Sequence, residues 1–169
     1  VASAALAERV IDARTTVNST GGIRIGQWFF PDWQAGGHGI TDVRKAIAQS
    51  VNSFFYTIGG GTDTFTGLGV ERMVNILKQF GLGRTTGIDL KAEAAGLLPT
   101  PEWKEKTKKE RWYIGDTYHL AIGQGDVLVT PLQMAVSTAA IANGGSVFQP
   151  RLVTTIAYPD GHREPVPPS

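Results

Sequence analysis

The stretch Val43-Arg-Lys-Ala-Ile-Ala-Gln-Ser-Val-Asn-Ser-Phe-Phe-Tyr-Thr-Ile-Gly-Gly-Gly61 decides how the chain is read. Val43, Ala46, Ile47, Ser50, Val51, Phe54 and Ile58 recur at helical spacing, and three glycines end the run. The spacing predicts a helix over 43–58 with Ser50 on the stripe of Val43, Ile47 and Phe54. Its hydroxyl is then aimed at a buried surface or a cleft, and a buried hydroxyl needs a partner. Asn52 suits a helix interior poorly, because its carboxamide competes for the local backbone. Ser50 and Asn52 are the candidate functional pair, set against the simpler reading of a polar helix junction.

On the upstream side, Val1, Ala4, Ala5 and Leu6 read as a short helix ending near Asp12. Residues 13–40 read as irregular and turn-rich, with Gly21-Gly22, Pro31 and Gly36-Gly37. Downstream, Val70, Met73, Val74, Leu77 and Phe80 form an amphipathic helix stopped by Gly81. Thr100-Pro101-Glu102 carries a helix start, with a capping hydroxyl, proline at the first position and an acid in the first turn. Thr130-Pro131-Leu132-Gln133 is a stronger one, because Gln133 can reach back to complete a capping box. Leu132, Ala135, Val136, Ala139 and Ala140 would be its buried face, ended by Gly144-Gly145. The β-formers from Phe148 to Tyr158, followed by Pro159-Asp160-Gly161, predict a short hairpin near the end. The fold class expected is α+β, mostly helical.

Composition narrows the function classes. The chain has 169 residues, 41% hydrophobic and 18% charged, with 16 basic against 15 acidic side chains. That length supports one domain with a core, and the balanced charge excludes a global field for nucleic acid or anionic membrane. No apolar run approaches the roughly 18 residues of a membrane span. The absence of cysteine excludes disulfides, Cys-ligated zinc and a thiol nucleophile. The first residues lack a basic leader, and the end, Pro165-Val-Pro-Pro-Ser169, continues neither helix nor strand. The chain is therefore expected to be a piece of a longer protein.

Other candidates read as structural. Asp32 and His38 could ligate a metal, but two ligands make no site and His119 has no matching spacing. Asp116 and His119 lack a nucleophile nearby. Lys104, Lys106, Lys108, Lys109 and Arg111, edged by Trp103, Trp112 and Tyr113, could bind single strands. Glu102, Glu105 and Glu110 dilute that patch, so it reads as a solvated helix face and no nucleic acid is expected. Gly81-Leu-Gly-Arg-Thr-Thr-Gly87 follows a helix rather than a strand and has the wrong spacing for a dinucleotide loop.

Ser50-Val-Asn-Ser-Phe-Phe-Tyr56 resembles the second active-site motif, Ser-x-Asn, of penicillin-binding proteins. Asp32-Trp33, Gly37-His-Gly39, Gly87-Ile-Asp-Leu90, Pro99-Thr-Pro-Glu-Trp103, Ile122-Gly-Gln-Gly125 and Val129-Thr-Pro-Leu-Gln-Met134 look like the same family, in the family's order. The resemblance is to the class B, monofunctional elongation type called penicillin-binding protein 2, and covers nearly the whole chain. It implies the helical subdomain of the penicillin-binding protein/serine β-lactamase-like transpeptidase fold. It also implies a peptidoglycan D,D-transpeptidase, in which a Ser-x-x-Lys serine is acylated by a D-Ala-D-Ala stem peptide and Lys-Thr-Gly completes the cleft. Ser50 would relay a proton to the leaving D-Ala, and Asn52 would hold the substrate's amide carbonyl.

Neither Ser-x-x-Lys nor Lys-Thr-Gly occurs in the 169 residues. Residues 1–169 are thus expected to be a partial transpeptidase domain, inactive alone and able to self-associate through an uncovered apolar wall. The first motif is expected just upstream of Val1. Some members of the family bind zinc near this motif through Asp, His and Cys. Asp32 and His38 match two of those ligands, but Val51 stands where the cysteine would be, so no metal and no cofactor is expected. The implied partners are peptidoglycan stem peptides, β-lactam antibiotics, and, for the parent, a membrane glycosyltransferase and the elongation machinery. The implied location is the periplasmic or outer face of a bacterial inner membrane, reached through an N-terminal anchor. A β-lactam or muropeptide sensor and a serine β-lactamase share the fold; the long Ile122–Met134 signature favours the cross-linking enzyme.

Overall fold

A computed structural model describes residues 1–167; Pro168 and Ser169, the end of the proline-rich tail, lie outside the described residues. The chain forms two units, residues 1–76 with 99–127, and residues 77–98 with 128–169.

In the first unit, helix α1 (Ala2–Ala7) is shorter than expected, because Glu8 caps it and Arg9 turns left-handed. The stretch read as irregular holds four short strands. β1 (Val17–Ser19) will pair with a later strand, while β2 (Gly22–Ile25) and β3 (Trp28–Pro31) form an antiparallel hairpin. β4 (Gly39–Thr41) returns antiparallel to β1, Val17 opposite Thr41. Strands of three or four residues are too short to print an alternating pattern. Gly37, at φ +77°, lets the loop before β4 touch β1: a Cβ there would lie 2.2 Å from the Ser19 carbonyl oxygen.

The helix expected over 43–58 is two helices. α2 (Val43–Gln49) starts on Asp42, whose carboxylate accepts the Lys45 N–H at 2.8 Å. Ser50 ends it in a left-handed conformation, φ 52° and ψ 51°, and Val51 is extended. α3 (Asn52–Gly60) then starts afresh and stops at Gly61. The break shifts the phase of the apolar stripe. Val43, Ala46, Val51, Phe54 and Ile58 are buried, whereas Ile47 is 62% exposed and Ser50 faces solvent. Ser50 is therefore not on the buried stripe.

α4 (Gly69–Gln79) follows the expected spacing, with Met73 and Val74 buried. α5 (Pro101–Lys108) starts on Thr100, whose hydroxyl accepts the Trp103 N–H at 3.1 Å. α6 (Ile114–Ala121) had no periodic signal strong enough to find. It packs closely on α3, where a Cβ on Gly59 would lie 2.5 Å from that of Ala121. The Tyr118 hydroxyl donates to the Gly61 carbonyl at 2.7 Å, pinning the end of α3.

In the second unit, α7 (Pro131–Ala142) has the expected capping box: Thr130 Oγ1 accepts the Gln133 N–H, and Gln133 Oε1 accepts the Thr130 N–H. Its inward face is not the expected one. Gln133, Ser137 and Ala140 are buried, Leu132 and Val136 only partly, and Ala135 and Ala139 are exposed. The polar face is buried because it satisfies loop carbonyls. Gln133 Nε2 donates to the Arg84 and Ala95 oxygens at 2.7 and 2.8 Å, and Ser137 Oγ lies 2.9 Å from the Phe80 oxygen. The terminal hairpin is present but shorter than the β-rich stretch, pairing β5 (Thr155–Ala157) with β6 (Arg163–Pro165).

Replacing Gln133 by Met keeps the volume but leaves the Arg84 and Ala95 carbonyls and the Thr130 N–H without their partner. Urea unfolding should show a loss of roughly 2–4 kcal/mol at unchanged m-value. A loss near zero would mean that water replaces the carboxamide.

Candidate active site

The first turn of α3 exposes N–H groups that no helical carbonyl can satisfy. Val51 precedes it and offers no side-chain cap. The cap comes instead from Asp32, at the end of the β2–β3 hairpin and 20 residues away in sequence. Asp32 Oδ1 accepts the Asn52 N–H at 3.1 Å and the Trp33 N–H at 3.0 Å. Oδ2 accepts the Ser53 N–H at 3.0 Å and the Ser53 hydroxyl at 2.7 Å. A negative group there also meets the positive end of the helix. Ser19 Oγ stands 2.8 Å from Ser53 Oγ and accepts the His38 N–H at 3.1 Å, so the two loops and the helix start share one buried network.

Burial pushes the Asp32 carboxyl up, but the hydrogen bonds from Ser53, Asn52 and Trp33 outweigh it and hold the group below the usual carboxylate range. Asp32 is therefore ionised at neutral pH.

Around this anchor lies an open cleft of about 960 Å³, lined by Trp33, His38, Lys45, Gln49, Ser50 and Asn52 among others. Lys45 Nζ donates to the His38 and Ile40 carbonyls at 2.6 and 3.0 Å, placing a positive charge at the wall. The Trp33 indole N–H donates to the Gln49 and Ser50 oxygens. Ser50 and Asn52, the two residues singled out in the sequence, are thus brought to one cleft. Their side chains take no hydrogen bond among the described residues, while the backbone around them is fully held. Such a pair can donate to and accept from a bound amide.

The Asp32–His38 pair requires a separate test. His38 Nε2 is buried without a hydrogen bond, 3.6 Å from Asp32 Oδ1, while Nδ1 lies 3.2 Å from Gln49 Oε1. A buried orphan nitrogen beside a carboxylate could serve a cation. The remaining ligands are missing: Val51 is apolar and wholly buried, and Asp32 already accepts four close donors. Among the described residues no cluster of three or more His, Cys, Asp or Glu could hold a metal. Zinc, which takes four ligands in a structural site, does not fit these residues.

The other sequence candidates are held in structural contacts. Asp116 is paired with Lys104 at 2.8 Å and accepts the Tyr113 N–H at 2.7 Å. Lys104 is buried and Lys108 is bound to Asp126, so the basic cluster is partly neutralised rather than a fully solvated face. Glu93 occupies the Thr86 and Gly87 N–H groups, which a phosphate would need in a Gly81–Gly87 loop. Sequence reasoning missed Ser19 and Ser53 as network members. Ser53 lies inside the motif stretch and could have been weighed; nothing local marks Ser19.

Two outcomes follow from the network. Because the Asp32 pKa is lowered on folding, its contribution is present above the unfolded value of about 3.9 and is lost as pH falls through the folded one. Asp32→Asn should cost roughly 2–4 kcal/mol at pH 7, with the gap to the parent narrowing below about pH 4 in denaturant titrations. Chelation should leave the melting temperature unaltered, and elemental analysis should find no stoichiometric zinc.

A family model, described as the penicillin binding protein transpeptidase domain, matches residues 1–169. A Haemophilus influenzae protein called peptidoglycan D,D-transpeptidase MrdA is 39% identical over 163 residues, covering 92% of this chain and 23% of that protein. The chain thus spans about a quarter of that relative. The structure of Pseudomonas aeruginosa PBP2 in complex with WCK 5153 is 31% identical, with a TM-score of 0.83, over 98% of this chain and 37% of that one. Helicobacter pylori PBP2 in complex with MreC is 35% identical, with a TM-score of 0.79, over 89% of this chain and 27% of that one. The mixed, mostly helical fold read from the sequence is the fold of these neighbours. With the whole length matched and the break at Ser50–Asn52 in place, the chain belongs to the penicillin-binding protein transpeptidase domain family.

Proposed function

We propose that the chain is the Ser-x-Asn part of a class B peptidoglycan D,D-transpeptidase, in which Ser50 and Asn52 serve the acyl transfer. The carrying observation is the helix break: Ser50 and Asn52 reach one cleft from a backbone held on both sides. The family resemblance supplies the chemistry. A serine of Ser-x-x-Lys, outside residues 1–169, attacks the carbonyl of the penultimate D-Ala and forms an ester. The C–N bond to the terminal D-Ala breaks, and that amine leaves after gaining a proton. Ser50 passes this proton from the lysine of the first motif to the leaving nitrogen. Asn52 donates its Nδ2 hydrogens to the amide carbonyl of the stem peptide and so fixes the acyl donor for attack. The amine of a second stem then attacks the ester, frees the serine and closes the cross-link. A β-lactam enters as an imitation of D-Ala-D-Ala and stops at the ester.

The substrates are accordingly peptidoglycan stem peptides, and the place of action is the outer face of a bacterial inner membrane. No helix among the described residues is long and apolar enough to cross a membrane, so the anchor of this reading lies outside them. The relation to a PBP2 that was solved with MreC supports work within the elongation machinery, beside a membrane glycosyltransferase that supplies strands to cross-link.

In the full-length protein, Ser50→Ala should slow acylation by a fluorescent penicillin roughly 100- to 10,000-fold, the usual loss for a positioned proton-transfer group. Unchanged acylation at unchanged stability would reduce Ser50 to a structural hydroxyl.

A further inference from the structure

Helix α2 ends without the residue that such an end calls for. A left-handed residue at a helix C-terminus is commonly glycine, because a Cβ in that region crowds the following carbonyl oxygen. Here it is Ser50, at φ 52° and ψ 51°. The last carbonyls of the helix also have no helical partner.

One atom from another segment holds the last of these carbonyls. Trp33 Nε1 donates to the Gln49 oxygen at 3.0 Å and to the Ser50 oxygen at 3.1 Å. The ring meets His38 edge-on, centroids 5.1 Å apart. Trp33 is 62% exposed, so burial of apolar area is not its main contribution; the fixed feature is the N–H. Holding the Ser50 oxygen orients the peptide plane between Ser50 and Val51, hence ψ of Ser50. One residue earlier, Asp32 holds the Asn52 N–H on the other side of Val51. The dipeptide Asp32-Trp33 therefore grips the break from both ends, the carboxylate on the start of α3 and the indole on the end of α2.

We propose that Trp33 is a positioning residue of this site, whose indole N–H sets the left-handed backbone of Ser50 and thereby aims its hydroxyl into the cleft. The inference rests on the reading of Ser50 as the proton relay. It assigns Trp33 no contact with the reacting atoms; it acts through Ser50.

The test is a double-mutant cycle in the full-length protein, read by the acylation rate with a fluorescent penicillin and by the melting temperature. Trp33→Phe keeps an aromatic ring and removes the N–H. It should slow acylation by about tenfold or more in the parent background, since small misplacements of a catalytic group are costly. In the Ser50→Ala background it should change the rate by no more than about twofold, because the group it positions is gone. Replacing Trp33 by benzothienylalanine, which exchanges only the N–H for sulfur, should reproduce the Phe result and covers the case in which Phe unfolds the loop. Equal losses in both backgrounds, or no loss in either, would overturn the proposal while leaving Ser50 in its role. If Ser50→Ala alone had no effect, the relay reading would fall and this inference with it.

Discussion

The Asp32 carboxylate on the first turn of α3 is the contact on which the site depends. It joins three segments that are remote in sequence: the hairpin end at 32, the β1 strand through Ser19 and Ser53, and the helix start at 52–53. Hydrogen bonds to a charged group contribute about 1.5–3 kcal/mol each in favourable cases, against the cost of burying the charge. Four close donors, with a helix N-terminus behind two of them, decide that balance in favour of the ionised form. This anchor holds the start of α3, while the Trp33 indole holds the end of α2, so the periodic run 43–58 is kept as two helices.

The same contact bears on why Asp32, His38 and Val51 do not fit zinc as a set of ligands. Val51 fills its position as an apolar side chain with no exposed surface, and Asp32 spends its lone pairs on backbone and hydroxyl donors. Hydrogen bonds perform the structural task. His38 remains in the network through its backbone N–H to Ser19 and its Nδ1 facing Gln49, which lines the same cleft.

What could be read from the sequence was local. Thr100 and Thr130 cap the helices that follow them, because a capping residue and the N–H it accepts lie within four residues. The pairing of Ser50 with Asn52 was likewise visible, since Asn52 fits the inside of a helix poorly; it turned out to be the first residue of one. What could not be read was non-local. The apolar positions keep helical spacing straight across the break, so periodicity alone hides it, and the groups that hold its two sides, Trp33 and Asp32, lie 16 to 20 residues upstream. The inward face of α7 misled for a related reason. Its buried Gln133 and Ser137 satisfy carbonyls of a distant loop, a demand that hydrophobic spacing does not record.

A crystal structure of the full-length protein acylated by a penicillin bears most directly on the role given to the broken helix. Asn52 Nδ2 should lie at about 3 Å from the amide carbonyl of the bound acyl group, with Ser50 still left-handed and its hydroxyl directed at the acylated centre. An acyl group bound away from both side chains, or a continuous helix through residues 43–58, would contradict that role.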